Sequence, residues 1–332
     1  MKALRLHAPG DLRLHDEPRP IPHAGESLLR VAAVGLCGSD LHWFNESGIG
    51  DARLVHPLVL GHELAAVVQA DGRLVAVDPA IPCGVCEHCL AGASNLCPQI
   101  IFAGHGSQDG GLRQELSWPE KHLFDLPESM DAIDGAMLEP LGIAIHSLNL
   151  AQMQVGMQVG VFGCGPIGLL ILQLVRWAGA GRIVATDRLV HRVEAACELG
   201  AGLAMQVGAD GFLAEQQKAV GERGLDVVFE AAGENPAVES AIEAAKPGGR
   251  VVLVGIPSDD RTSFSASVAR RKGLSILVCR RMKQTYPRAI QLVKSRKVDV
   301  RSLVTHRFPL ESAQEAFQTA ANRAGLKVII EP

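Results

Sequence analysis

A chain of 332 residues is too long for one ordinary hydrophobic core, so two domains are expected. Hydrophobic residues make up 47% and charged residues 20%, a globular composition that argues against disorder. The formal net charge is −4 and no long run of Lys or Arg occurs, which points away from nucleic acid and anionic membranes as partners.

The opening residues 1–7 lack the apolar core of a secretory signal. The longest apolar stretch, 167–175, is too short to span a bilayer, so a soluble cytoplasmic protein is expected. From residue 1 to about 122 the chain is rich in Pro and Gly, with short alternating apolar segments such as 27–31 and 64–68. These predict short strands joined by many turns, hence a β-rich domain, with most of the cysteines in a long loop.

From about Gly156, strand, turn and helix alternate. Residues 158–162 predict a strand, 166–177 a buried helix apolar on nearly all sides, and 182–186 a second strand. Residues 188–199 predict an amphipathic helix with Leu189, Val193, Ala196 and Leu199 on one face. Three further buried strands are predicted at 225–229, 250–254 and 274–278, and strands alternating with helices imply a parallel sheet. After Arg281 come a helix (286–298), a short strand near Val304, a helix (311–322) and a final strand (326–330). That tail is expected to pack back on the first domain.

Gly163-Cys164-Gly165-Pro166-Ile167-Gly168 follows a predicted strand and opens a predicted helix, the context that gives a Gly-x-Gly-x-x-Gly pattern its meaning. The first Gly allows the tight turn, the second lets pyrophosphate approach the backbone, and the third permits close helix–strand packing. Phosphates would sit at the helix N-terminus. Asp187 ends the next strand, where a carboxylate accepts the ribose hydroxyls of NAD and repels a 2′-phosphate. Arg188 beside it is a residue type that can host NADP, and Arg188 and Arg192 join the cofactor-binding candidates. A surface acid after a Gly-rich turn is the plain alternative.

Of eight cysteines, Cys83, Cys86, Cys89 and Cys97 crowd into fifteen residues. In a reducing compartment that spacing reads as four thiolates around one tetrahedral Zn²⁺, a closed structural site rather than disulfides. His88 lies inside the loop as a bystander. A closed site cannot do chemistry, so any catalytic metal would have to lie elsewhere. Cys37 and His62 by themselves read more simply as buried core residues.

Taken together, the dinucleotide pattern, the cysteine cluster and the segments Cys37-Gly38-Ser39-Asp40-Leu41-His42 and Gly61-His62-Glu63 resemble the zinc-containing medium-chain dehydrogenase/reductase family over essentially the whole chain. Glu139-Pro140-Leu141, Ile145-His146 and Thr285-Tyr286-Pro287 with Arg281 upstream look closest to its sorbitol (polyol) dehydrogenase branch. The resemblance implies an α/β fold: a GroES-like β-rich catalytic domain (1–137 and 281–332) plus a Rossmann domain with a doubly wound parallel sheet (138–280).

It further implies one catalytic and one structural zinc per subunit. Cys37 and His62 would hold the catalytic ion, with Glu63 or Glu139 completing the set and Asp40 orienting His62. Ser39 would take the hydroxyl proton, His42 would pass it to solvent, and Arg281 would hold a polyol hydroxyl or a water.

The reaction implied is hydride transfer from a polyol or secondary alcohol to NAD, giving a ketone. A sugar acid, an aminocyclitol or threonine is the alternative substrate, and a non-catalytic NAD-binding protein with structural zinc only is the alternative of another class. Partners expected are a small hydroxylated substrate and further copies of the chain, as a dimer or tetramer. Two departures from the family pattern stand out. Residues 65–78 are shorter than usual, predicting a tighter hairpin, and Arg281 lacks the aromatic neighbours usual in sorbitol dehydrogenases.

Overall fold

The computed structural model describes residues 1–332, which form two compact units: 1–139 with 286–332, and 140–285. In the first unit, β1 (Lys2–Ala8) turns at Pro9-Gly10 into β2 (Asp11–Asp16), Gly10 supplying the left-handed φ of 71° that the turn requires. A long strand follows, β3 (Glu26–Gly35), then the short helix α1 (Gly38–Glu46). β4 (Glu63–Val68) and β5 (Leu74–Val77) form the tight hairpin expected at 65–78, closed over Asp71-Gly72. β6 (Glu115–Pro119) and β7 (Leu123–Asp125) complete the N-terminal part.

The second unit is a six-stranded, wholly parallel sheet. Its strands are β8 (Gln158–Phe162), β9 (Arg182–Asp187), β10 (Leu203–Gln206), β11 (Leu225–Glu230), β12 (Ala245–Leu253) and β13 (Ser275–Val278). The spatial order is β10-β9-β8-β11-β12-β13, so the chain reverses direction of growth between β8 and β11. Ligands of open α/β sheets bind outside the carboxyl ends of the strands at such a reversal. Between β8 and β9 runs α2 (Pro166–Trp177), which starts with Pro at its first position and buries every residue from Gly168 to Val175. The near-total apolarity of this helix is explained by that burial.

The tail returns to the first unit. α3 (Tyr286–Lys294) ends earlier than its apolar pattern suggests, because the backbone turns left-handed at Arg296 (φ 55°). β14 (Val304–Pro309) and β15 (Lys327–Glu331) then join the N-terminal sheet. Its order is β7-β5-β4-β3-β15-β14, with β6 also paired to β3. The main core of this unit runs from Leu6 and Trp43 to Phe317 and Ile330 and draws on both ends of the chain, and a smaller cluster gathers Ala33, Ala136 and Ile329. Tyr286 stacks on Phe124 at 4.7 Å and donates to the Val77 carbonyl at 2.8 Å.

Candidate functional site

Asp40 organises one end of the first unit. It is fully buried, one carboxylate oxygen accepting from the Cys37 N–H (2.9 Å) and the other from the Gly61 N–H (3.1 Å). The second oxygen also faces His62 Nδ1 at 3.5 Å. Burial alone would raise the Asp40 pKa, but the facing imidazole and the backbone donors outweigh it and hold the carboxyl below its ordinary value. A single carboxylate thus fixes the backbone before α1 and turns the His62 ring so that Nε2 is the nitrogen left to bind something else.

Donor atoms of Cys37, His62 and Glu63 lie within 4.8 Å of one another, with His62 and Glu63 buried. One thiol, one imidazole and one carboxylate make a donor set suited to catalytic zinc, three protein ligands leaving a fourth position open. The Glu63 carboxylate owes its room to Gly35, where any Cβ would stand 2.2 Å from Oε2. It is paired with the ammonium of Lys327, itself buried on β15 and donating to the Leu36 carbonyl at 2.9 Å. Lys327 is a residue that sequence reasoning missed. The only signal is a lysine inside the apolar strand Lys327–Glu331.

Glu139 is buried too but is outside this three-residue group. Burial pushes its pKa up to about 7; the His62 charge opposes that, and the Glu63 charge adds to it. Ser39 Oγ stands 3.4 Å from His62 Nε2, whereas His42 turns its Nδ1 toward Glu46 at 3.6 Å. Arg281 belongs to the second unit, where its backbone is left-handed (φ 54°).

The four clustered cysteines, all free thiols, also bring their sulfur atoms within 4.8 Å of one another. Cys83 and Cys89 are 4.0 Å apart, close to the roughly 3.8 Å that tetrahedral Zn–S bonds of ~2.3 Å imply. Backbone N–H groups of Val85 and Cys86 pull the Cys83 thiol down to about 6, favouring the thiolate a metal needs. His88 instead faces Glu87.

In the second unit, the glycines behave as a dinucleotide loop requires. Gly163 is left-handed (φ 96°) and abuts the Ala231–Ala232 backbone, and a Cβ on Gly168 would lie 1.8 Å from the Gly163 carbonyl. Gly165 has an open side, its nearest neighbour there being the Arg192 guanidinium at 3.5 Å. That opening, beside the free N–H groups that begin α2, fits a pyrophosphate. Asp187 accepts from the Cys164 N–H (2.7 Å) and the Leu189 N–H (2.9 Å), and Arg188 pairs with Glu234 at 3.1 Å.

Comparison with known proteins agrees with both units. Residues 23–128 match the family model of the alcohol dehydrogenase GroES-like domain, and residues 166–295 that of the zinc-binding dehydrogenase. Sorbitol dehydrogenase of Bos taurus is 37% identical over 340 residues, spanning 99% of this chain and 95% of the bovine one. Among solved structures, an alcohol dehydrogenase of Escherichia coli CFT073 complexed with NADH superposes with a TM-score of 0.91 at 28% identity, covering 100% of this chain and 99% of that one. A Sinorhizobium meliloti 1021 protein bound to NADP gives 0.90 at 29% identity, with the same coverage. The chain therefore belongs to the zinc-containing medium-chain dehydrogenase/reductase family, close to its sorbitol dehydrogenase branch, and is an alcohol or polyol oxidoreductase acting on CH–OH groups.

Proposed function

We propose that the protein oxidises a secondary hydroxyl of a polyol to the ketone, with NAD as hydride acceptor and a zinc held by Cys37, His62 and Glu63. The observation that carries the reading is this thiol, imidazole and carboxylate cluster, ordered by one buried aspartate in a chain that also builds a dinucleotide loop. Zinc bound there supplies Lewis acidity toward the substrate hydroxyl, and bound NAD supplies the redox chemistry.

The chain's own residues do the rest. Asp40 holds Cys37 and His62 in place, and Lys327 fixes the Glu63 carboxylate. Ser39, beside His62 Nε2, receives the hydroxyl proton, and His42 passes it to solvent. Glu139, whose pKa burial raises, is the reserve carboxyl of the pocket rather than the direct ligand. Arg281 is assigned a substrate hydroxyl. Cys83, Cys86, Cys89 and Cys97 hold the second, structural zinc, giving two ions per subunit.

The polyol class rests on the sorbitol dehydrogenases of Bos taurus and Bacillus subtilis, at 37% and 33% identity. NAD rather than NADP rests on Asp187 at the end of β9. A homo-oligomer, dimer or tetramer, is proposed on family grounds. A cytoplasmic location is supported by the free thiols, and no helix is long and apolar enough to cross a membrane.

The test is nucleotide reduction by purified protein across polyols, sugar acids, threonine and simple secondary alcohols, with NAD and NADP in parallel and zinc counted by mass spectrometry. Turnover of a polyol with NAD and two zincs per chain is expected. Full turnover by a Cys37→Ala variant would refute the assigned zinc site.

A further inference from the structure

The end of β9 carries two residues with opposite implications. Asp187 favours the free ribose hydroxyls of NAD, whereas Arg188, directly after it, is the residue type that accommodates the extra phosphate of NADP. The two differ in how firmly they are held. Asp187 is buried, and each of its oxygens already accepts a backbone N–H, from Cys164 at 2.7 Å and from Leu189 at 2.9 Å. It is fixed to the glycine loop and cannot swing away.

Arg188 is two-thirds exposed, yet its guanidinium is engaged. Glu234 reaches it from the loop after β11 and accepts from the same nitrogen with both oxygens, at 3.1 and 3.4 Å. At the start of the helix Asn235–Ala244 the Glu234 side chain caps no backbone N–H, so the helix does not hold it there. The other nearby cation, Arg192, is mostly buried, 4.0 Å from Asp187 and beside the open face of Gly165, where it belongs to the pyrophosphate end.

We propose that Glu234 is a specificity-determining residue: by engaging Arg188, the residue that follows Asp187, it adds negative charge at this end of β9 and turns away the 2′-phosphate of NADP. The inference rests on the assignment of this loop to the nicotinamide cofactor and of NAD as the preferred form. The physical argument is one of charge. A 2′-phosphate brings close to two negative charges into a region where Glu234 adds repulsion and occupies the exposed Arg188 guanidinium that would answer it. NAD presents a neutral hydroxyl at the same point and is largely indifferent to Glu234.

The test is calorimetric titration of NAD and of NADP into the full-length, zinc-loaded protein, its Glu234→Gln variant and the Arg188→Ala/Glu234→Gln double variant. Removing the repulsion of one charge on a doubly charged phosphate about 6 Å away in water is worth about tenfold. The expected result is therefore NADP affinity about tenfold higher in Glu234→Gln, with NAD affinity altered less than about threefold. The gain should shrink at high ionic strength, and the double variant should keep the part owed to lost repulsion while losing the part owed to the released Arg188 guanidinium. Unchanged NADP affinity in Glu234→Gln, with NAD binding intact, overturns the role of Glu234 and leaves the NAD reading standing. An unsubstituted protein that binds NADP as well as NAD overturns the NAD reading and this proposal together.

Discussion

Lys327 shows how much one residue can hold that no motif announces. Its ammonium is buried between the Glu63 carboxylate and the Leu36 carbonyl, and although burial would lower its pKa, the facing carboxylate outweighs that and raises it. Truncating one partner of a buried pair costs more than the pair contributes, because the other charge is left without compensation. Lys327→Met is therefore expected to cost about 3–5 kcal/mol in zinc-free protein. The loss should be smaller in the zinc-loaded form, where the ion offers Glu63 another cation. Thermal unfolding with and without zinc checks this, and equal melting temperatures for the variant and the parent in both forms would rule it out.

The reason the residue escaped sequence reading is physical. A lysine in a strand is ordinarily a solvent-facing position, and only the placement of β15 against β3 makes this one interior. Cys37, His62 and Glu63 were legible because they sit in short segments with a family resemblance, whereas the pairing of Arg188 with Glu234 depends on two loops that only the folded sheet brings together.

At the scale of elements, the glycine loop yields a contrast within one motif. At Gly168 a side chain would drive a carbon to 1.8 Å from the Gly163 carbonyl, so Gly168→Ala must open the turn or shift α2. At Gly165 the helical-side space is open and the backbone φ of −69° suits any residue. Gly168→Ala is thus expected to lose stability, by about 2 kcal/mol or more, and cofactor binding together. Gly165→Ala should keep the parent melting temperature yet bind NAD at least about tenfold more weakly, since the methyl group occupies the phosphate's approach. Melting curves and NAD titrations on the two variants separate these outcomes, and a Gly168→Ala protein as stable as the parent would contradict the packing argument.

A pH effect also belongs at this scale. Arg5 on β1 grips Glu17 (2.5 and 3.1 Å) and Asp109 (3.0 and 2.8 Å), tying the first hairpin to a distant loop. Arg5 holds the Glu17 carboxyl below its ordinary value, so the stabilisation is present above the unfolded pKa and is lost as pH falls through the folded one. Glu17→Gln should lower the melting temperature by about 2–5 °C at pH 7 and by progressively less as the solution is made acidic. An equal deficit at pH 7 and in acid would show that the charge is not the cause.

The elements themselves were largely readable where period and burial agree, as in β8, α2, β9 and β11. The short edge strand β10 and the helix Phe212–Val220 were not, because a four-residue edge strand and a mostly exposed helix carry little apolar pattern.

For the whole molecule, the decisive feature is that one unit is continuous in sequence and the other is not. Residues 140–285 contain all six parallel strands and a core drawn from Phe162 through Val251 to Ala269, so nothing outside the segment is needed to close that sheet. Residues 1–139 lack β14 and β15. Without them β3 loses its β15 partner along Val34 and Gly35 and keeps only β4 there, the core loses Phe317, Val328 and Ile330, and Glu63 loses Lys327. An unpaired apolar strand edge of this kind favours association with other chains over folding. Expressed alone, 140–285 is expected to be a cooperatively folded fragment that still binds NAD, because the glycine loop, Asp187, Arg188 and Glu234 all lie within it. The 1–139 fragment is expected to aggregate or stay unfolded, and to recover zinc binding at Cys37 and His62 only when 286–332 is co-expressed. Circular dichroism, NAD titration and zinc content of the fragments decide the matter. A 1–139 fragment that folds by itself and holds both zincs would show that the C-terminal return is dispensable to the site, and that Lys327 only trims what Asp40 has already ordered.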